Sequence, residues 1–255
     1  MTNDRTAEGL ACWADLWTSD VASARHFYGE LLGWEAAEPD PQFGGYFLFM
    51  LDGAPVAGAM GDMGDMKADN TWKPYLATDS IDRTLVSVTA HGGTVLSPAM
   101  PVGDLGSQAV FDDPTGAHLG AWQANEFDGF PGSGRRGLVS WVELHTDDHD
   151  RAVAFYSDVF GWKTESVADT DEFRYTTVID PRTGEMGLGV YDASADAAGS
   201  HWLLYFQVDD VDVSAGLVPS LGGTVIESPN DTPYGRMSLI SDPTGATFRL
   251  MVPPA

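Results

Sequence analysis

The chain has 255 residues, 43% of them hydrophobic, with 13 basic against 38 acidic side chains and a formal net charge of −25. That length suits one large domain or two of about 125 residues. The surplus is shared, because residues 1–125 hold 5 basic and 17 acidic side chains, net −12, leaving −13 for the rest. An acidic tail is excluded, and so is a nucleic-acid partner, which needs Lys and Arg to displace phosphate counterions. Such a field repels anionic ligands and draws in cations. The single Cys12 rules out an intrachain disulfide and a Cys-based metal site. Met1–Glu8 has no apolar h-region and no apolar run approaches ~18 residues, so a cytoplasmic protein with no membrane partner is expected.

In chain order, the first element is a strand through Trp13 that ends at Asp20. Asp20 can cap a helix in which Ala24, Phe27, Tyr28, Leu31 and Leu32 form one stripe and Gly33 the stop. Tyr46–Leu51 and Ala54–Ala59 read as strands around an Asp52-Gly53 turn. Met60–Met66 is a crossover loop. Trp72 to Asp79 opens a second strand–helix pattern, which closes with Asp113-Pro114-Thr115-Gly116-Ala117 before another strand. The joint near 128–137 is rich in Gly and Pro. Beyond it the pattern starts again at an offset of 128: Trp141 to Asp148 repeats Trp13 to Asp20. Ala152, Phe155, Tyr156, Val159 and Phe160 repeat the helical stripe, and Gly161 repeats the stop. Trp202 to Asp209 then resembles Trp72 to Asp79, and Asp242-Pro243-Thr244-Gly245-Ala246 recurs late. The segments at Trp13, Trp72, Trp141 and Trp202 all run Trp-x6-Asp, so a strand–helix–strand–strand–strand unit occurs four times.

A βαβββ unit used in pairs resembles the vicinal oxygen chelate superfamily, which includes glyoxalase I, extradiol dioxygenases, and the fosfomycin and bleomycin resistance proteins. The marks are Phe27-Tyr28 with Leu32-Gly33-Trp34, Phe155-Tyr156 with Phe160-Gly161-Trp162, and the two Asp-Pro-x-Gly turns. The layout looks most like tandem actinobacterial proteins labelled hydroxylases or glyoxalase-like. The resemblance implies an α+β fold with four modules paired into two cup-shaped mixed-sheet domains, helices outside. It places domain one at 1–127 (modules about 10–66 and 70–125) and a linker at 128–137. Domain two is then 138–255 (modules about 138–195 and 200–253).

Metal-dependent relatives carry a His seven residues before the strand-end Asp and a Glu seven residues after the Asp of Asp-Pro-x-Gly. Read on Trp-x6-Asp, the first set falls on Trp13, Trp72, Trp141 and Trp202, and the second on Gly120 and Arg249. Indole has no available lone pair, Gly has no side chain and a guanidinium repels a cation. No metal and no other cofactor are therefore expected.

Alternation along strands sets the candidate cavity walls. Trp13, Asp15 and Trp17 share a face, as do Trp141, Glu143 and His145. His118 points with Gly120, Arg249 with Thr247, and Phe206 with Trp202. Two readings of these indoles stay open, a ligand-binding wall or a filled core. The first leads to a metal-free binder of a small aromatic metabolite or antibiotic, with a cationic one favoured by Asp15, Glu143 and the net charge. The alternative is a tailoring enzyme of secondary metabolism, hydroxylase-like or a lyase, working in the second domain. There Glu143 and His145, roughly 7 Å apart by strand geometry, would be acid and base, and Arg249 or Arg236 would hold an anion. A metal-dependent glyoxalase or dioxygenase is a third. The chain would work as a monomer or homodimer, with a small molecule as partner.

Overall fold

The computed structural model describes residues 5–170, 173–194 and 198–254, so the Met1–Asp4 stretch read above lies outside it. The elements follow the fourfold repeat. Module one is β1 (Ala11–Trp17), α1 (Val21–Leu32), β2 (Glu35–Ala36), β3 (Phe47–Leu51) and β4 (Ala54–Met60). Module two is β5 (Thr71–Ala77), α2 (Ile81–Ala90), β6 (Thr94–Val102), β7 (Gly106–Asp112) and β8 (His118–Ala124). Module three is β9 (Val139–Thr146), α3 (His149–Phe160), β10 (Thr164–Asp169), β11 (Arg174–Ile179) and β12 (Met186–Asp192). Module four is β13 (His201–Gln207), α4 (Val211–Leu217), β14 (Thr224–Thr232), β15 (Gly235–Ser241) and β16 (Thr247–Val252).

These strands build two unclosed, cup-like mixed sheets of eight, in the orders β2-β3-β4-β1-β5-β8-β7-β6 and β10-β11-β12-β9-β13-β16-β15-β14. Each module's first strand pairs in parallel with its last, as β1 does with β4 and β13 with β16, while the remaining pairs within modules are antiparallel meanders. Parallel pairing requires a crossover, which the helix supplies.

The helices form as the stripe and caps predict. Asp20 accepts the Ser23 amide, Gly33 is left-handed at φ 77°, and Ala24, Phe27, Tyr28, Leu31 and Leu32 are the buried set of α1. In α3, Asp148 caps Arg151 and Gly161 stops the helix at φ 69°. There the stripe is amended: Val159 is only half-buried, and His149 joins the buried face.

Two caps differ from the sequence reading, and the difference matters. The capping residues are Asp20, Ser80, Asp148 and Asp210, so in modules two and four the strand ends one residue later than Trp-x6-Asp implies. The places equivalent to Trp13 and Trp141 are therefore Lys73 and Leu203. A one-residue slip turns every side chain of a strand to the other face. Trp72, Trp202 and Phe206 accordingly face the helices, not the cavity.

Packing gathers the chain into two compact units that cross the halves. Of the described residues, one holds those up to Trp13, those of Pro74–Gly129 and those of Trp141–Trp202; the other holds Ala14–Lys73, Phe130–Ser140 and those from Leu203 onward. In the second unit Tyr28 of α1 is fully buried among Trp34, Phe49, Trp72 and Phe248. Its hydroxyl accepts from Trp72 Nε1 at 2.9 Å and donates to Asp242 Oδ2 at 3.1 Å. Asp242 Oδ1 closes its own turn by accepting from the Thr244 amide and hydroxyl and the Ala246 amide. The first unit repeats this device. Tyr156 of α3 donates to Asp113 Oδ2 at 2.9 Å, while Asp113 Oδ1 holds Thr115 and Ala117. Burial, then the neighbouring carboxylate, pushes both phenols well above their ordinary pKa, so each remains a donor. Among the described residues no helix is long and apolar enough to cross a membrane.

Candidate functional site

The second half concentrates chemistry on β9. Trp141, Glu143 and His145 share its helix-free face, and Glu143 and His145 are both buried. Strand spacing alone keeps the two apart, yet their side chains lean together, and His145 Nε2 lies 2.8 Å from Glu143 Oε1. Tyr175 of β11 donates its hydroxyl to Glu143 Oε2 at 2.6 Å, and Trp141 Nε1 donates to the Tyr175 oxygen at 3.0 Å. Gly189 makes this possible. It stands opposite Glu143 across the β12–β9 pairing, and a Cβ there would run into the Tyr175 hydroxyl.

Rings frame the carboxylate. His145 packs against Tyr191 at 5.1 Å and against His201 at 5.0 Å between centroids. Phe173 stacks on Tyr175 at 5.8 Å with 7° between planes, and touches Tyr191 at 5.8 Å. Phe173 is 39% exposed, so the frame reaches solvent at that end. His201 lies on that face because of the same one-residue slip.

The first half carries the same construction in reduced form. Asp15 accepts the Tyr46 hydroxyl at 2.8 Å and stands opposite Gly58, where a Cβ would meet that hydroxyl and the Asp15 carboxylate. A carboxylate, a phenol and an opposing glycine thus occur once per half. Sequence reading found Asp15 and Glu143 but missed Tyr46 and Tyr175, though their offset of 129 was a usable signal. Trp17 already carries a cation: Lys73 Nζ sits 4.0 Å from its ring centroid and pairs with Asp69 at 2.7 Å. His118 Nδ1 lies 2.8 Å from Asp112 Oδ1. Trp13 packs edge-on against Phe127 at 4.8 Å.

The other expected residues take structural roles or new partners. Trp72 bonds Tyr28, Phe206 packs on Trp34, Trp72 and Phe248, and Trp202 stands edge-on to Tyr156. These three are corrected to the helical core. Arg249 pairs with Glu227 at 2.8 Å and lies 5.9 Å from the Tyr205 ring. Arg236 binds Asp212 of α4 and Asp231, and braces that turn. A cavity of about 390 Å³ in the first unit is lined by residues including Arg5, Glu8, Thr78, Trp122 and Arg182, and none of the expected site residues borders it.

The corrected ligand positions do not fit the divalent cation of metal-dependent relatives. They hold Trp13, Lys73, Trp141 and Leu203 on the first strands, and Gly58, Gly120, Gly189 and Arg249 on the strands paired beside them. An ammonium and a guanidinium repel such an ion, and the others offer no side-chain lone pair to it. Among the described residues no three His, Cys, Asp or Glu side chains are placed to hold a metal ion.

Comparison with known proteins agrees with the architecture. The family profile described as the Glyoxalase/Bleomycin resistance protein/Dioxygenase superfamily matches twice, at residues 11–119 and 138–250. A "Putative glyoxylase CFP32" of Mycobacterium bovis is 36% identical over 254 residues, covering 96% of this chain and 95% of that protein. The "Anthracycline biosynthesis protein DnrV" of Streptomyces peucetius is 36% identical over 268 residues, covering 97% and 94%. Among solved structures, the Mn(II)-bound glyoxalase from Novosphingobium aromaticivorans superposes with a TM-score of 0.66 at 19% identity, covering 96% of this chain and 82% of that one. The 2,3-dioxygenase LapB from Pseudomonas sp. KL28 does so with 0.63 at 14%, covering 98% and 95%, a likeness of fold. With two profile matches spanning most of its length, the chain belongs to the glyoxalase/bleomycin resistance protein/dioxygenase superfamily.

Proposed function

We propose that the protein is a metal-free binder of a planar aromatic small molecule bearing a cationic group, held in its second half. The observation that carries this reading is the buried carboxylate of Glu143 inside a frame of Trp141, Phe173, Tyr175, Tyr191 and His145. Rings favour a flat guest through offset and edge-on contacts, and a desolvated carboxylate attracts a cation more strongly than an exposed one does. The net charge of −25 adds long-range attraction of the same sign. Ammonium and guanidinium groups in metal-ligand places support the metal-free part. The relative named for anthracycline biosynthesis supports a fused-ring aromatic as the guest.

The test is a titration with 9-aminoacridine, a planar cation, against anthracene-9-carboxylate, a planar anion of similar size. Tryptophan fluorescence reports binding. The cation binds at least about tenfold more tightly, a gap of about 1.4 kcal/mol, and Glu143→Gln removes most of that gap. Equal affinities, or no quenching by either compound, would refute the reading. Elemental analysis of purified protein tests the metal-free part, and stoichiometric Zn, Ni, Mn or Fe would overturn it.

One contact favours a second reading, a tailoring enzyme. An ionised carboxylate only accepts hydrogen bonds, so Glu143 fixes the proton of His145 on Nε2 and leaves Nδ1 as the basic nitrogen. That is how a carboxylate orients a general base. Mass spectrometry of the natural ligand before and after incubation separates the two: unchanged mass fits a binder, while conversion lost in His145→Gln fits the enzyme.

A further inference from the structure

The first half holds a second aromatic slot, and the residue that leads into the joint fills it. Trp13 projects from the face of β1 that also carries Asp15, and is only 5% exposed. Trp122 lies on β8, on the face shared with His118 and Gly120. The ring of Phe127 stands edge-on to both indoles, 4.8 Å from Trp13 at 86° and 6.1 Å from Trp122 at 76°. Phe127 belongs to no strand or helix; it leads into the Gly- and Pro-rich joint and is only half-buried. Two bonds tether it: its amide donates to Leu105 O at 3.1 Å, and its carbonyl accepts from Trp122 Nε1 at 2.9 Å. Its side chain contributes rings alone. Trp141, the counterpart of Trp13 in the second half, is half-buried and turned to Tyr175 instead.

From this arrangement we infer that the space between Trp13 and Trp122 is a binding site for a single aromatic ring, occupied by Phe127 as a tethered guest. Two indoles set for edge-on contact suit a neutral benzene or alkylbenzene ring, which shares the negative face and positive edge of the phenylalanine side chain. A guest on a short tether competes at an effective concentration in the millimolar range. A weakly binding free ring is therefore kept out of the native protein, whereas removing the Phe127 side chain hands the slot to it. The inference is independent of Glu143, because the slot is built from other residues and takes a neutral ring.

Toluene is the probe, with Phe127→Ala, Phe127→Leu and the native chain compared by thermal unfolding at rising toluene up to its solubility. Phe127→Ala gains a saturable rise in Tm of at least ~2 °C, as expected when a ligand binds only the folded state. The native chain and Phe127→Leu, whose slot stays filled, gain less than half of that. A folded Phe127→Ala whose Tm responds to toluene no more than the native chain's overturns the inference. Should Phe127→Ala fail to fold alone, refolding with toluene restores its near-UV circular dichroism if the slot is a site, and failure to restore it counts against the site. Binding of 9-aminoacridine to the same variants reads the second-half site separately, so loss of one result does not touch the other.

Discussion

His149 shows how a single side chain can govern pH behaviour away from any site. It opens α3 with 5% of its surface exposed, and both ring nitrogens lack a hydrogen-bond partner among the described residues. Burial depresses its pKa and Arg174 adds to this, while Asp150, Asp192 and Asp169 pull the other way. An unfolded histidine titrates near ~6.5, so the stability from a neutral His149 is present above that pH. It is lost as pH falls from there through the lower folded value. The urea midpoint of the native protein should drop between pH 7.5 and 5.5, and by clearly less in His149→Gln; equal slopes would show that other groups set it. The burial of His149 comes from packing, which the periodicity of the sequence does not report. Glu143 and His145 were legible from alternation, but their contact was not, since strand spacing says nothing of where side chains lean.

At the scale of elements, α1 and α3 were readable because three signals agreed: an Asp cap, a 3.6-residue stripe and a glycine stop. The second strands of each half were less so. Asp79-Ser80 and Asp209-Asp210 each offer two neighbouring capping residues, and taking the earlier one inverted the faces of β5 and β13. The phenol–carboxylate–glycine crossing joins three separated elements and was invisible to local pattern. It has a measurable signature. Gly58→Ala and Gly189→Ala each drive a methyl group toward a tyrosine hydroxyl, and should cost about 1–3 kcal/mol by urea unfolding, as overpacking does. Tyr28→Phe and Tyr156→Phe each remove a donor to a buried aspartate and should cost a similar 1–3 kcal/mol. Changes within about 0.5 kcal/mol would mean that water or another group satisfies the aspartate.

For the whole molecule, the fourfold repeat made the architecture legible from motifs spread along the chain. What the motifs did not reveal is that each helix tyrosine serves the turn of a different half, Tyr28 that of Asp242 and Tyr156 that of Asp113. Residues 1–127 expressed alone should therefore lack a cooperative unfolding transition, and mixing them with residues 128–255 should restore one. Two sharp, independent transitions would show that each half is self-sufficient. With a net charge of −25, self-repulsion is substantial at low salt. Raising NaCl from 20 to 500 mM, which shortens the screening length to a few ångströms, should lift Tm by several degrees; a fall would mean that attractive pairs dominate. The reciprocal tyrosine links also bear on descent. Duplicated sequences ordinarily drift apart at liberty, but here a helix and the turn it grips lie more than two hundred positions apart in one case and about forty in the other. Exchanging either half replaces one partner of each pairing at once, so a foreign half is accepted only where it brings a tyrosine and an aspartate of its own to the same two places.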